Sequence, residues 1–208
     1  MPEILKKYQV EDEVKDKDDH VNELHVNELK EKHNVEFIGN GAEAIIVALS
    51  GEHGQEKVVA FNYMDLKPED AKAVFYLHRI FSTLFPHNFP HFYASAPEGT
   101  IRKRVVNLAS DEQRLFGVAS HPFIDVIDAC REMKIRLYTD NSSVNFLHGA
   151  DGGEYYVDTL KPDHNQSLYR HKDRIIDYMR EKQYTASDIY IVEQSLDRLR
   201  ELSQTGNI

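Results

Sequence analysis

Three polar residues late in the chain have the types and spacing that can do chemistry. Asp140 and Asn145 stand five residues apart in Tyr138-Thr-Asp-Asn-Ser-Ser-Val-Asn-Phe-Leu-His, and Asp158 closes the short run Tyr155-Tyr-Val thirteen residues after Asn145. Between them Gly149-Ala-Asp-Gly-Gly reads as a turn, so the two segments fold back as a hairpin and bring Asn145 and Asp158 together. A carboxylate and an amide oxygen on neighbouring strand ends form a hard-oxygen site of the kind that holds Mg2+ against phosphates. A second carboxylate, Asp140, can accept or orient the proton of an attacking hydroxyl. The competing reading is structural. Asp140, Asn141, Asn145, Asp151 and Asp158 are all residue types whose side chains bond their own backbone in turns.

A second candidate lies far upstream, in Ile38-Gly-Asn-Gly-Ala-Glu-Ala-Ile-Ile-Val-Ala-Leu. Glycines two apart let a backbone turn tightly and approach a ligand, and the N–H groups of such a turn can cradle phosphate oxygens. A plain hairpin carries the same pattern. The turn is followed by a strand-like run and not by a helix. That argues against a dinucleotide-binding fold and a P-loop, both of which need a helix N-terminus at the phosphate.

The elements that must position these residues are readable from periodicity. Val35–Ile38, Ala44–Leu49 and the run from Lys57 to Met64 read as strands, the last two separated by Gly51-Glu-His-Gly. Pro68-Glu-Asp opens a helix whose broad apolar face runs through Ala71, Val74, Phe75, Leu77, Ile80, Phe81 and Leu84, and Pro86 to Pro90 stop it. Phe92–Ala96 and the run from Thr100 to Val106 read as a hairpin around Pro97-Glu-Gly. Helices follow at His121–Met133, Leu168–Lys182 and Ala186–Leu202, the last with Thr185 as N-cap and Asp188 as a first-turn acid. Cys130 falls on the apolar side of the first of these and reads as packed core.

Composition narrows the classes. The chain has 208 residues, 41% hydrophobic and 29% charged, an ordinary globular balance with room for one large domain or two small ones. The net charge of −10 disfavours nucleic acid as a partner, and the basic triplet Arg102-Lys103-Arg104 reads as a solvated strand edge. No apolar run is long enough to span a bilayer, so no membrane role is expected. The N-terminal stretch lacks the apolar core of a signal peptide and the single cysteine permits no intrachain disulfide, so a cytoplasmic setting is expected. Residues 1–34 read as a charged helix or arm. They carry the tandem His20-Val-Asn-Glu-Leu and His25-Val-Asn-Glu-Leu, whose His20/Glu23 and His25/Glu28 pairs could be metal ligands but read as a solvated duplication. The remaining histidines, His87, His91, His121, His148, His164 and His171, have no paired ligand spacing and read as surface or capping groups.

Taken in order, these motifs resemble the protein-kinase-like superfamily over roughly residues 35–165. Tyr138-Thr-Asp140 stands where that family has His-Arg-Asp, Asn145 where it has a metal-binding asparagine, and Asp158-Thr-Leu where it has Asp-Phe-Gly. Gly39-Asn-Gly41-Ala-Glu-Ala44 resembles its glycine-rich loop, with Ala44 in place of the third glycine, and the wording is similar to small atypical kinases of the RIO and KEOPS-complex type. The resemblance implies an α+β, two-lobed fold: an antiparallel-sheet lobe with one helix at 35–108 and a reduced, mostly helical lobe at 109–208. It implies ATP and Mg2+ as ligands, a possible protein partner, and an acceptor that is a protein hydroxyl or a small molecule. Asp140 would be the catalytic base, Asn145 and Asp158 the metal ligands, and Gly39, Asn40, Gly41, Ala42, Ala44 and Asn62 the nucleotide-binding residues.

The chain departs from the pattern at the family's Lys–Glu ion pair. Asn62 occupies the lysine position in Val59-Ala-Phe-Asn62, and neither Lys57 nor Lys67 has the matching register. The helix positions expected to carry the glutamate hold Tyr76, Leu77 and His78. Few residues follow Asp158, and no long activation segment is present. These departures imply the alternative of a pseudokinase acting as a nucleotide sensor or protein-binding module.

Overall fold

Lys57-Val-Val-Ala-Phe-Asn is apolar on consecutive residues, which a strand tolerates only when both its faces are covered. In a computed structural model of the chain this run is the central strand of a five-stranded antiparallel sheet. The structure describes residues 35–40, 44–49, 57–62, 66–97, 99–106, 124–139 and 145–205. The predicted N-terminal arm at 1–34, and with it the His20 and His25 repeats, lies outside the described residues.

The sheet contains β1 (Val35–Asn40), β2 (Ala44–Leu49), β3 (Lys57–Asn62), β4 (Phe92–Ala96) and β5 (Gly99–Lys103), in the order β1-β2-β3-β5-β4. Helix α1 (Pro68–Leu84) connects β3 to β4. Pro68 starts it, Glu69 and Asp70 lie in its first turn, and the Lys67 carbonyl accepts the Ala71 N–H. The later elements are α2 (Ile124–Glu132), the hairpin strands β6 (Phe146–His148) and β7 (Glu154–Tyr156), the short α3 (Pro162–Asn165), a 3-10 segment Gln166–His171, α4 (Lys172–Glu181) and α5 (Ala186–Gln204). The architecture is α+β.

The described residues divide into two compact units. One takes those up to Lys72 together with Tyr93–Arg104; the other takes Ala73–Phe92 and those from Val105 onward. The first is the sheet, with Ile45, Val47, Val58, Val59, Ala60, Phe61 and Ile101 buried. The second is centred on the later turns of α1, where Leu77, Ile80 and Phe81 are fully buried with Val126, Met133, Ile175, Met179, Leu196 and Leu199. Tyr156 and Leu160 belong to that same core.

Three sequence expectations change. Arg102 is buried in β5, which lies between β3 and β4 in the sheet order; of the basic triplet Lys103 is exposed, and the partly exposed Arg104 pairs with Glu36 at 3.0 Å. The strand beginning near Thr100 stops at Lys103 and does not reach Val106. The helix expected over Leu168–Lys182 starts as the 3-10 segment and becomes α-helical only at Lys172. Elsewhere the local signals hold. Thr185 caps α5 by accepting the Asp188 N–H at 3.1 Å, and Cys130 is buried in α2 with its thiol pushed up to about 12 by burial. No helix among the described residues is long and apolar enough to cross a membrane.

Candidate functional site

The hairpin expected between Asn145 and Asp158 forms through short, regular pairing. Phe146 opposes Tyr156, Leu147 opposes Tyr155 and His148 opposes Glu154. The turn is closed by Gly149 N–H donating to the Gly153 carbonyl at 2.8 Å. Gly152 sits at φ +80°, the left-handed region that glycine enters without a steric penalty. Asp151 is a turn residue in the sense anticipated. Its Oδ1 accepts the Gly153 N–H at 3.1 Å and its Oδ2 the Tyr155 hydroxyl at 2.5 Å. Burial first, then the bond to Asp151 and its charge, push the Tyr155 phenol up to about 12.

Just beyond the paired residues the Val157 N–H donates to the Asn145 carbonyl at 2.8 Å, which extends the ladder by one step and sets Asn145 beside Asp158. The Asn145 Nδ2 lies 3.4 Å from Asp158 Oδ2, and the Tyr156 hydroxyl lies 3.5 Å from the same oxygen. Both contacts are at the outer limit of hydrogen bonding. Asp158 is half-buried, so its carboxylate sits in a partly desolvated surrounding. One carboxylate and one amide oxygen, both hard donors, fit a Mg2+ ion that takes its other ligands from water and phosphate. Among the described residues there is no cluster of three His, Cys, Asp or Glu side chains that could enclose a metal unaided.

The segment carrying Asp158 is anchored on both sides. The Tyr156 N–H donates to the Asn88 carbonyl at 2.8 Å, in the turn after α1, and the Leu160 N–H donates to His78 Nε2 at 2.9 Å. Asp140, the proposed base, lies outside the described residues, but Tyr138 two positions before it does not. Asn165 is buried and clasps that residue: its Oδ1 accepts the Tyr138 N–H, and its Nδ2 donates to the carbonyls of Tyr138 and Lys161, each at 3.1 Å. The segments leading to Asp140 and following Asp158 are thus tied to one side chain. Neither Asn165 nor this role of His78 was anticipated. A lone histidine on an amphipathic helix, and an asparagine in the polar string Pro-Asp-His-Asn, carry no local signal of burial.

In the sheet, the other predicted residues gather at one end by register. Gly39 opposes Ile46, Asn40 opposes Ile45 and Ala44 opposes Asn62. A bulge between Phe37 and Gly39 breaks the β1 ladder just before the turn. Gly41 and Ala42 lie outside the described residues. No atom comes within 4 Å of where a Cβ on Gly39 would stand, so packing among the described residues does not require glycine there. Asn62 spends one amide N–H on the Pro97 carbonyl at 3.0 Å, an oxygen that also accepts the Leu66 N–H at 2.9 Å. It therefore ties the end of β3 to the β4–β5 turn. Lys57 stands at the opposite end of β3, about 17 Å away at the usual rise per residue, with its ammonium over the Tyr93 ring at 4.5 Å.

No family model matches the chain, and no curated protein matches it. Among solved structures, the chain is similar to a Rio2 kinase–ADP/Mg2+–phosphoaspartate complex from Chaetomium thermophilum, at 14% identity and TM-score 0.40, covering 86% of this chain and 75% of that one. It is also similar to the choline kinase LicA from Streptococcus pneumoniae, at 10% identity and TM-score 0.30, covering 87% of this chain and 90% of that one.

Proposed function

We propose that the chain is an ATP- and Mg2+-dependent phosphotransferase of the protein-kinase-like superfamily, acting on a hydroxyl of a protein or small molecule. The observation that carries this reading is the meeting of Asn145 and Asp158 across a hairpin neck, with a 3.4 Å approach between their side chains. An α+β architecture with a five-stranded antiparallel sheet supports the reading at the level of fold class. In this reading Asp158 and Asn145 hold Mg2+, which when bound would neutralise charge on the phosphates. The backbone N–H groups of Gly39–Ala44 offer donors to phosphate oxygens. Asp140 accepts the proton of the acceptor hydroxyl as its oxygen bonds to the γ-phosphorus. The bond from that phosphorus to the bridging oxygen breaks, and ADP leaves.

A second reading is favoured by one observation. Asn62, in the family's lysine position, is an uncharged group engaged with the Pro97 carbonyl. A chain that binds nucleotide without turning it over would sense nucleotide or dock a protein partner. One experiment separates the readings. Thermal unfolding is followed with ATP or ADP, with and without Mg2+, for the wild type and Asp158→Ala, alongside transfer of labelled γ-phosphate. A Mg2+-dependent shift that Asp158→Ala abolishes, with transfer or ATP hydrolysis, supports the phosphotransferase. The same shift without turnover supports the sensor. No shift in the wild type sinks both.

A further inference from the structure

We propose that Asn165 is a positioning residue for Asp140, holding the main chain that leads into that base from a buried side-chain amide. The inference rests on the reading of Asp140 as the base given above. Asn165 is the last residue of α3 and is 3% exposed. Its Oδ1 accepts the Tyr138 N–H and its Nδ2 donates to the Tyr138 carbonyl, so one planar group meets both main-chain polar groups of a single residue. An amide suits this pairing because it carries an acceptor and a donor side by side, whereas a carboxylate has no donor. The same Nδ2 also donates to the Lys161 carbonyl, three residues after Asp158.

The side chain of Tyr138 lies at the surface. Its ring is 42% exposed and meets the guanidinium of Arg136 and the ring of His164, both exposed residues. Residues 135–139 form no helix or strand. The buried attachment of Tyr138 is its pair of main-chain bonds to Asn165. Two residues of chain span at most about 7 Å, which bounds the distance from this clasp to the Asp140 backbone. A general base has to stand within hydrogen-bond reach of the proton it takes, and a displacement of about 1 Å can cost on the order of a hundredfold in rate. Loss of Asn165 acts unequally on the two sides of the site. Tyr138 loses both main-chain bonds at once. The Asp158 segment keeps the β6–β7 pairing, the Tyr156 bond to Asn88 and the Leu160 bond to His78. Positioning of the base therefore fails before metal binding does.

The test separates a positioning role from a merely structural one. Three readouts are taken on the full-length chain: kcat for Mg2+-dependent ATP hydrolysis with water as acceptor, the Mg2+ concentration giving half of the ADP-dependent thermal shift, and amide exchange of the peptide containing Tyr138. Wild type is compared with Asn165→Ala and with Val192→Ala, which trims a buried apolar side chain of α5 in the same core. Asn165→Ala is expected to lower kcat by about tenfold to a hundredfold. Its Mg2+ midpoint should stay within about threefold of wild type, and its Tyr138 amide should exchange about tenfold faster. Val192→Ala is expected to lower the melting temperature while keeping kcat within about threefold. Unchanged kcat in Asn165→Ala, an Mg2+ midpoint that moves as far as kcat, or an equal loss of kcat in Val192→Ala overturns the proposal. If Asn165→Ala does not fold, the wild type still decides. A Tyr138 amide that exchanges there at the open-chain rate overturns the clasp, and protection about tenfold or more below that rate upholds it. A wild type without ATP hydrolysis overturns the base reading and the positioning role with it. Exchange at Tyr138 then still shows whether Asn165 holds the segment, so the two failures are distinguishable.

Discussion

Asn165 holds the backbone of Tyr138 on both sides, accepting its N–H and donating to its carbonyl, each at 3.1 Å, across 27 residues of sequence. A third bond from the same amide reaches the Lys161 carbonyl. Asn165→Ala leaves the Tyr138 N–H and two carbonyls without this partner, at about 1–3 kcal/mol for each group that stays buried and unpaired. The expected result is a fall in urea-unfolding free energy of about 2 kcal/mol or more. Asn165→Asp keeps the acceptor for the Tyr138 N–H but points an anion at two carbonyl oxygens, so it is expected to be no more stable than the alanine variant. A loss below about 0.5 kcal/mol in both would mean that the clasp is not made in solution.

Two glycines that look alike in the sequence face opposite demands. A Cβ on Gly99 would stand 2.3 Å from the Ala60 carbonyl oxygen on the paired strand, a backbone atom that cannot move without disturbing β3. Gly99→Ala is therefore expected to destabilise by about 1–3 kcal/mol, the range of overpacking in a formed core. Gly39→Ala meets no atom within 4 Å and is expected to stay within about 0.5 kcal/mol of wild type. If the backbone at Gly39 approaches phosphate, the same variant weakens nucleotide binding by calorimetry while its melting temperature stays put. Unchanged affinity would remove Gly39 from the phosphate site.

What was legible in the sequence was legible because it is local. The continuous apolar runs of β2 and β3, the Pro-Glu-Asp opening of α1 and the Gly-rich turn of the β6–β7 hairpin each announce themselves within a few residues. The approach of Asn145 and Asp158 followed from such a turn. Arg102 was misread because its neighbours are basic. Its burial is set by the fold around β5, which a window on the triplet does not show. His78 and Asn165 were illegible for the same reason. Their partners Leu160 and Tyr138 lie 82 and 27 residues away, and nothing in either local sequence marks a buried hydrogen-bonding role.

Helices α2 and α4 both end in a left-handed residue that is not glycine. Lys134 has φ 54° and Gln183 has φ 61°. Each sits at the C′ position of a paired terminal motif. Ile135 N–H reaches the Cys130 carbonyl and Lys134 N–H that of Arg131; Tyr184 N–H reaches the Met179 carbonyl and Gln183 N–H that of Arg180. A side chain in this conformation costs about 1 kcal/mol, which glycine avoids. Lys134→Gly and Gln183→Gly are each expected to raise the urea-unfolding free energy by about 0.5–1 kcal/mol, and to add when combined because the ends are separate. Destabilisation by either would mean that its side chain makes contacts worth more than the strain.

The chain is expected to weaken in alkali through two buried groups. Burial pushes the Cys130 thiol from 9.0 up to about 12, and burial together with Asp151 pushes the Tyr155 phenol from 10.0 up to about 12. The unfolded chain releases these protons near their ordinary values, while the folded chain keeps them until about pH 12. Between roughly pH 9 and 12 the unfolded state therefore binds fewer protons, and stability falls as pH rises. Below pH 9 both states are protonated and the two groups contribute no slope. Urea midpoints measured from pH 7 to 11 should be flat in this respect at first and then decline. Cys130→Ala should flatten the earlier part of the decline and Tyr155→Phe the later part. At pH 8 the native thiol should also resist a disulfide reagent until urea unfolds the protein. Rapid native labelling would place Cys130 at the surface and remove the thiol's part in the decline.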